Sequence, residues 1–319
     1  MSAKLEGRAA GTLETRAIVR GHIAAALACL ADRRPSDQSI HAARRSIKKA
    51  RAVWRLLKPA LPAATFREVN MRLRDAGRPL GAARDAKVLV VALDRAWRAG
   101  DGVASASVLK ALRRGLVQHG KAVKRAVMLE PTGIALSREA LRGAYRRVLD
   151  SSISKRGWSP LGKGLRRTYA RGRRMYYRAR SARRAQDLHE WRKRAKDLQQ
   201  QLIVLKPLAP GPISKRASKA GNLAERLGDD HDLAVLRAQV LSRRGADFAP
   251  EQCAGVVVLI DRLRADLQSR ALVLGARVYK EKPAEFAERF GKYWHAWRRM
   301  NKAKRTAGPA ARRPRMRTF

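Results

Sequence analysis

Apolar residues recur at intervals of three and four along most of this chain, which is the spacing that places side chains on one face of an α-helix. In the stretch IHAARRSIKKARAVWRLLKP, residues 40–59, Ile40, Ile47, Trp54 and Leu57 form such a face. No stretch alternates apolar and polar residues between hairpin turns, as a half-buried strand does. The pattern therefore predicts an all-α protein.

Proline and glycine residues mark the ends of the predicted helices. The helical pattern breaks at Pro59, Gly100, Pro131, Pro160, Pro207, Gly211, Gly245 and Pro283. The segments between these breaks correspond to roughly a dozen helices of ordinary length. Residues 301–319 carry basic residues and prolines but no acidic residue, so we expect a basic tail that is disordered in isolation.

The basic helix at 40–59 occurs a second time, as LHEWRKRAKDLQQQLIVLKP at 188–207. The two copies align without a gap and share His41/His189, Arg44/Arg192, Lys48/Lys196, Leu57/Leu205, Lys58/Lys206 and Pro59/Pro207. A second echo pairs LGAARDAKVL at 80–89 with LGDDHDLAVL at 227–236, which aligns Gly81 with Gly228, Arg84 with His231, and Asp85 with Asp232. The repeat predicts two tandem four-helix bundles, at residues 1–155 and 156–300, followed by the tail.

Each copy of the repeated helix divides into an apolar face and a cationic face. The apolar face of the second copy includes Leu188, Trp191, Leu198 and Leu205. The cationic faces follow the pattern H-x-x-R-[RK]-x-x-K, and few carboxylates lie four residues away to neutralise them. A charged helix face is often only solvated, but this pattern recurs in both copies and further arginines surround it, so we interpret it as an anion-binding surface.

The composition supports a polyanionic partner. The chain of 319 residues has 72 Lys and Arg against 26 Asp and Glu, a formal net charge of +46. A compact body with this charge repels itself strongly unless anions surround it. The two cysteines, Cys29 and Cys253, show no metal-ligand or redox spacing, and no apolar run is long enough to span a membrane, so we expect a soluble cytoplasmic protein.

The paired basic helices, the LG-x-x-[RH]-D segments that follow them and the arginine-rich stretch GLRRTYARGRRMYYRA between them resemble the CHAD family, the conserved-histidine α-helical domain. The resemblance covers about residues 10–300. It implies two four-helix bundles related by a pseudo-twofold axis, with the basic helices lining a central groove that binds inorganic polyphosphate. It also implies an association with polyphosphate granules. The E-x-E-x-K motif of the CYTH domain, which accompanies many relatives, does not occur here.

The candidate polyphosphate-binding residues come from both basic helices, the arginine-rich stretch and their neighbours. They are His41, Arg44, Arg45, Lys48, Arg51, Arg55, Arg72, Arg166, Arg167, Arg173, Arg174, His189, Arg192, Lys193, Lys196, Lys219, Arg226 and His231. Asp85 and Asp232 are predicted to orient neighbouring Arg or His side chains. Imidazoles among arginines are poor metal ligands but can donate to phosphate oxygens, so we predict neither a metal nor another cofactor.

A polyphosphate chain has dense charge and no base to stack, so its binder needs Lys and Arg with little aromatic contribution. Aromatic residues form 5% of the chain, whereas a single-strand nucleic-acid binder interleaves them with its basic residues. Sequence-nonspecific nucleic-acid binding is the alternative. No paired acids, nucleophile elbow or P-loop is visible, which predicts a binding protein and not an enzyme.

Overall fold

The computed structural model describes residues 11–100, 105–129, 131–242 and 250–306. Within these ranges the chain forms α1 (Thr12–Cys29), α2 (Asp37–Leu57), α3 (Ala63–Gly77), α4 (Ala82–Ala99), α5 (Ala106–Leu129), α6 (Pro131–Leu149), α7 (Trp158–Ala182), α8 (Ala185–Leu205), α9 (Pro210–Ser242), α10 (Pro250–Val278) and α11 (Pro283–Thr306). The described residues form helices, turns and no strand, which confirms the all-α prediction.

The two copies of the repeated helix have the same bounds. Helix α2 begins at residue 37 and ends at 57, and α8 begins at 185 and ends at 205, which is the same segment moved by the offset of the repeat. A three-residue 3₁₀ turn follows each helix, Lys58–Ala60 in one copy and Lys206–Leu208 in the other. The proline inside each turn has no backbone N–H to continue the α-helix, which explains why both helices end there.

The copies differ in the segment that follows. In the first copy α3 and α4 are separate helices, and residues Arg78 to Gly81 lie between them. In the second copy the corresponding segment is the single helix α9 of 33 residues. Pro79 accounts for the break, because its ring clashes with the preceding turn, and the second copy has Arg226 at the aligned position.

Two hydrophobic cores hold the helices together. The larger core takes residues from both halves of the sequence. Each repeated helix contributes one fully buried tryptophan to it, Trp54 from α2 and Trp191 from α8. The smaller core lies between α4, α5, the end of α9 and the start of α10, so it also combines the two halves. The tandem arrangement of two bundles and their boundary near residue 155 stay predictions.

Helix α11 extends through Thr306, so the first residues of the predicted tail are helical. Residues 307–319, the rest of that tail, lie outside the described part of the structure.

Candidate anion-binding cleft

The two repeated helices pack directly against each other. Arg55 of α2 donates through Nη1 to Oδ1 of Asp197 of α8 at 2.8 Å, and Asp197 also forms an ion pair with Arg194 at 3.1 Å. Beside this pair, the Gln201 side chain donates from Nε2 to the Ala52 carbonyl oxygen at 2.9 Å. The basic faces of both copies therefore meet at one junction.

Helix α7 forms a third wall of this junction. It approaches α2 so closely that a Cβ on Gly164 would clash with the backbone of Leu56, and only glycine fits there. The close approach brings the α7 residues Arg167 and Arg171 to the end of α2. It also places them beside the 3₁₀ turn that carries Lys58.

We call the resulting cavity the central cleft. Its volume is about 240 Å³. Its walls come from the 3₁₀ turn and from α2, α3, α7 and α8, and they consist of Arg55, Lys58, Phe66, Asn70, Arg167, Thr168, Arg171 and Arg194. Five of these eight residues are cations, drawn from both halves of the sequence. No carboxylate is among the described residues that line the cavity, and Asp197 lies buried next to it.

The cations of the cleft repel one another. Burial lowers the pKa of Arg51, which precedes Arg55 by one turn of α2, to about 10, and the nearby charges of Arg55, Arg74 and Arg194 lower it further while Asp197 opposes them. Burial, followed by the charges of neighbouring arginines, also lowers the pKa of Arg171. A multivalent anion placed in the cleft would relieve this repulsion, because each phosphate oxygen can accept from more than one guanidinium.

Two of the predicted histidines form a pair. The rings of His189 on α8 and His231 on α9 lie with their centroids 4.5 Å apart. Burial lowers the pKa of His231 to about 4, with further contributions from the charges of Arg192, His189, Arg264 and Lys193. Burial also lowers the pKa of His189, as do the charges of nearby lysines and Arg192. Both imidazoles are therefore neutral near pH 7.

A buried acid outside the predicted set, Asp230, lies beside this pair. Asp230 is buried and accepts from Arg264 Nε at 3.1 Å and from Gln268 Nε2 at 2.9 Å. It thereby holds Arg264 close enough to lower the pKa of His231. The orienting role of Asp232 stays a prediction. The side chain of Asp85, predicted for the same role, lies outside the described part of the structure.

The glycines of the second echo make room for the repeated arginines. A Cβ on Gly81 would lie 3.2 Å from Nη1 of Arg44, and one on Gly228 would lie 3.5 Å from Nε of Arg192. Each arginine of the H-x-x-R pattern thus packs against the glycine of the second echo that lies in the same half of the sequence. Both arginines are half-buried in consequence.

The remaining candidates lie in several different surroundings. Arg45, Lys48, Lys193 and Lys196 are exposed on the repeated helices, and Lys193 forms an ion pair with Glu190. Other candidates that are exposed, on α7 and α9, are Arg166, Arg167, Arg174, Lys219 and Arg226. The first-copy histidine, His41, is half-buried near the start of α2.

Two candidates are engaged in contacts within the fold. Arg72 of α3 pairs with Glu68 at 3.1 Å, and Glu68 also binds Arg147 of α6, so this group lies at the contact between α3 and α6. Arg173 of α7 donates to the Tyr279 carbonyl oxygen at 3.2 Å and to the Tyr177 hydroxyl at 3.0 Å. The structure does not bring Arg72 to the central cleft.

Three of the five cleft cations are missing from the predicted set, namely Lys58, Arg171 and Arg194. Lys58 belongs to the identical Lys-Pro pairs that end both repeated helices, so the repeat itself carries a signal for it. Arg171 lies in the arginine-rich stretch, but its neighbours there are equally basic. Arg194 is off the repeated pattern, and only the packing of α8 on α2 and α7 reveals its position.

Neither a metal site nor a membrane span is present in the described residues. No group of three or more His, Cys, Asp or Glu side chains is arranged to hold a metal ion in them. None of the helices they form is both long and apolar enough to cross a membrane.

The fold and this site define an all-α protein with an internal repeat, whose doubled basic helices meet at a cation-lined cleft. A family model described as the CHAD domain matches residues 17–241. The chain belongs to the CHAD domain family, as the sequence resemblance predicts, and no CYTH domain is detected in it.

Solved structures share this fold. PptA from Streptomyces chartreusis superposes with a TM-score of 0.63 at 15% sequence identity, covering 84% of this chain and 98% of that chain. The CHAD domain from the plant Ricinus communis gives a TM-score of 0.63 at 17% identity, covering 85% and 94% of the two chains. These identities are low, so the likeness is one of fold. No curated protein matches the chain.

Proposed function

We propose that this protein binds inorganic polyphosphate in the central cleft and along the basic helix faces around it. The observation that carries the proposal is the meeting of cations from both repeats and from α7 at one cavity without a lining carboxylate. Arg55, Arg171 and Arg194 repel one another there when the cleft is empty. A linear polyanion supplies many charges on one flexible chain, so it neutralises several of these cations in one binding event.

The aromatic residues near the cleft favour polyphosphate over nucleic acid. Trp54 and Trp191 are fully buried, and Phe66 is buried beneath the Lys58 ammonium, which lies 4.8 Å from its ring centroid. None of these three rings presents a face to a nucleobase. Binding of single strands relies on such stacking platforms, whereas polyphosphate does not need them.

The proposed role is binding without catalysis, at polyphosphate granules in the cytoplasm. Membership of the CHAD family supports this role, and so does the net charge of +46, which favours a surface dense in anions. Nonspecific binding of nucleic acid through the same cations is the second candidate function. The net charge supports that second function.

A competition experiment separates the two functions. Labelled long-chain polyphosphate should bind tightly at about 0.15 M salt, with an affinity that falls steeply as salt increases, because many phosphate contacts form together. Double-stranded DNA and RNA at equal phosphate concentration should displace it poorly. Equal or better binding of duplex DNA would overturn the assignment to polyphosphate.

The cleft itself is tested by Arg167→Ala combined with Arg171→Ala. Both residues are exposed on α7 and line the cleft, so we expect at least a tenfold loss of affinity, about 1.4 kcal/mol, without loss of helicity. Lys110→Ala combined with Arg114→Ala is the matched control, because it removes the same charge from exposed positions on α5. An equal loss in the control would show that net charge, and not the cleft, determines binding.

A further inference from the structure

The cationic surface of α7 continues beyond the central cleft. A second cavity of about 560 Å³ lies over α7, and Lys58, Arg167 and Arg171 line both it and the central cleft. A third cavity, of about 490 Å³, lies between α7 and the start of α11. Ala170 and Arg174 line both the second and the third cavity, so all three form one continuous track.

The length of this track follows from helix geometry. Arg167 lines the central cleft and Ser181 lines the third cavity, and both belong to α7. At the rise of an α-helix their separation along the axis is about 21 Å. A ligand that fills both ends must therefore be an extended chain and not a single small anion.

The third cavity, which we call the outer subsite, adds the hydroxyl groups of Tyr177 and Ser181 to the cations of the track. Its lining residues are Ala170, Arg173, Arg174, Tyr177, Arg178, Ser181 and Pro283. The Tyr177 hydroxyl accepts from Arg173 at 3.0 Å, which leaves its own proton available to a ligand oxygen. Ser181 contributes a second hydroxyl on the same face of the helix, one turn further on.

Two of the three arginines of the outer subsite, Arg173 and Arg178, are held by contacts within the fold. Arg173 is fixed by the Tyr279 carbonyl oxygen, and its guanidinium lies 4.9 Å from the centroid of the Tyr177 ring. Arg178 forms an ion pair at 3.0 Å with the buried carboxylate of Asp187. Fixed side chains lose little conformational entropy when a ligand binds, so this subsite is organised before the ligand arrives.

We propose that the outer subsite is a second phosphate-binding site for the same polyphosphate chain, reached along α7 from the central cleft. This inference rests on the proposed function and extends it to a preference for chain length. A short chain fills the central cleft alone. A chain longer than the track engages both sites, and the second contact is then intramolecular, which increases the overall affinity.

The test compares two ligands, tripolyphosphate and long-chain polyphosphate, on the full-length protein. Tyr177→Phe combined with Ser181→Ala removes both hydroxyl donors and keeps every charge. We expect the affinity for the long chain to fall about tenfold, as for the loss of hydrogen bonds to charged groups. The affinity for tripolyphosphate should stay unchanged, because that ligand does not reach the outer subsite.

The matched control is Tyr145→Phe combined with Ser107→Ala. Tyr145 also has a guanidinium over its ring, that of Arg20 at 5.7 Å, but it lies on α6 away from the track. We expect wild-type affinities for both ligands in the control. If the outer-subsite variant binds both ligands like the wild type, or loses affinity equally for both, the outer subsite is not a second site.

A charge variant provides a second measurement. Ser181→Glu places a carboxylate in the outer subsite and should weaken long-chain binding by about tenfold or more, with the deficit shrinking at high salt. Ser107→Glu on α5 is the control with the same change in net charge. Absence of any polyphosphate binding by the wild type would refute the proposed function itself, whereas normal long-chain binding by Ser181→Glu would refute only the outer subsite.

Discussion

At the scale of single residues, the rings of His189 and His231 contact each other, are half-buried and lie among positive charges. The charges that face them come from Lys48 on α2, Arg192 and Lys193 on α8, and Arg264 on α10, and Glu190 opposes them. This environment disfavours the imidazolium form in the empty protein. A bound polyanion reverses the electrostatic balance and increases the pKa of both imidazoles.

Binding should therefore take up protons. In the free protein the pKa of His231 is about 4. Linkage requires the affinity to increase as pH falls from the higher pKa of the bound state toward this lower pKa of the free state. We expect polyphosphate affinity to increase from about pH 7 to about pH 5, by at most about tenfold per pH unit for each proton taken up. The measurement uses long chains, because the end groups of short ones titrate in this range.

The variant that checks this dependence is His189→Gln combined with His231→Gln. It should flatten the pH profile and keep most of the salt dependence, because the arginines remain. His119→Gln, at an exposed position on α5, should keep the wild-type profile. A double variant with an unchanged profile would mean that the pair is structural.

Both histidines were predictable from the repeat, but the contact between their rings was not. The contact depends on how α8 and α9 turn toward each other, and neither periodicity nor spacing specifies that angle. Asp230 was missed for a related reason. Three acids lie close to His231 in the sequence, at 229, 230 and 232. Only the packing of α10 shows that Asp230 accepts a hydrogen bond from Arg264.

At the scale of the elements, the contact between α2 and α8 depends on Asp197. Its side chain is only 9% exposed, and it bridges one arginine from each repeated helix. Removing one partner from such a group leaves buried charges uncompensated. The same carboxylate compensates two arginines that line the cleft, as a bound phosphate would.

Asp197→Asn should reduce the free energy of unfolding by about 2 to 3 kcal/mol in the absence of anions, as for breaking a mostly buried ion pair. Polyphosphate should then raise the melting temperature of the variant more than that of the wild type, because its phosphates compensate Arg55 and Arg194. Thermal melts with and without polyphosphate measure both effects.

Glu281→Gln is a closely matched control for this substitution. Glu281 is also 9% exposed and bridges two arginines, Arg216 at 2.8 Å and Arg289 at 3.0 Å, neither of which lines the central cleft. We expect its variant to lose stability without any additional stabilisation by polyphosphate. Equal ligand-induced shifts in the two variants would contradict the role of Asp197.

The ends of the elements were largely predictable, because Pro59, Pro207 and Pro283 act through local sterics. The apolar faces were predictable for the same reason, and Ile40, Trp54, Leu188 and Trp191 are all buried as expected. The partners of each face were not predictable. Arg72 has the same charge as the cleft arginines, and only the packing of α3 on α6 separates it from them.

At the scale of the whole molecule, the two cores tie the halves of the sequence together. Helix α2 packs against α7 and α8, and α4 packs against α9. Either half alone would expose the apolar surfaces that these contacts cover. Burial of apolar surface stabilises a fold by roughly 25 cal/mol for each Å². Exposure of these surfaces should therefore make an isolated half unstable.

Residues 1–155 and 156–319 expressed separately should therefore lack a cooperative thermal transition, and mixing them should restore one. Circular dichroism melts of each fragment and of an equimolar mixture provide the measurement. If both fragments melt cooperatively near the temperature of the intact chain, the shared cores contribute little to stability.

The matching bounds of α2 and α8 suggest how such a molecule arose. Two segments with the same length, the same terminal turn and the same arginine over glycine are best explained by duplication of one ancestral gene. A single ancestral unit would have exposed the surface that α2 now buries against α8. A second copy of the unit would be needed to cover that surface, and joining two copies in one chain leaves each free to differ, as the copies do at Pro79 and Asp197.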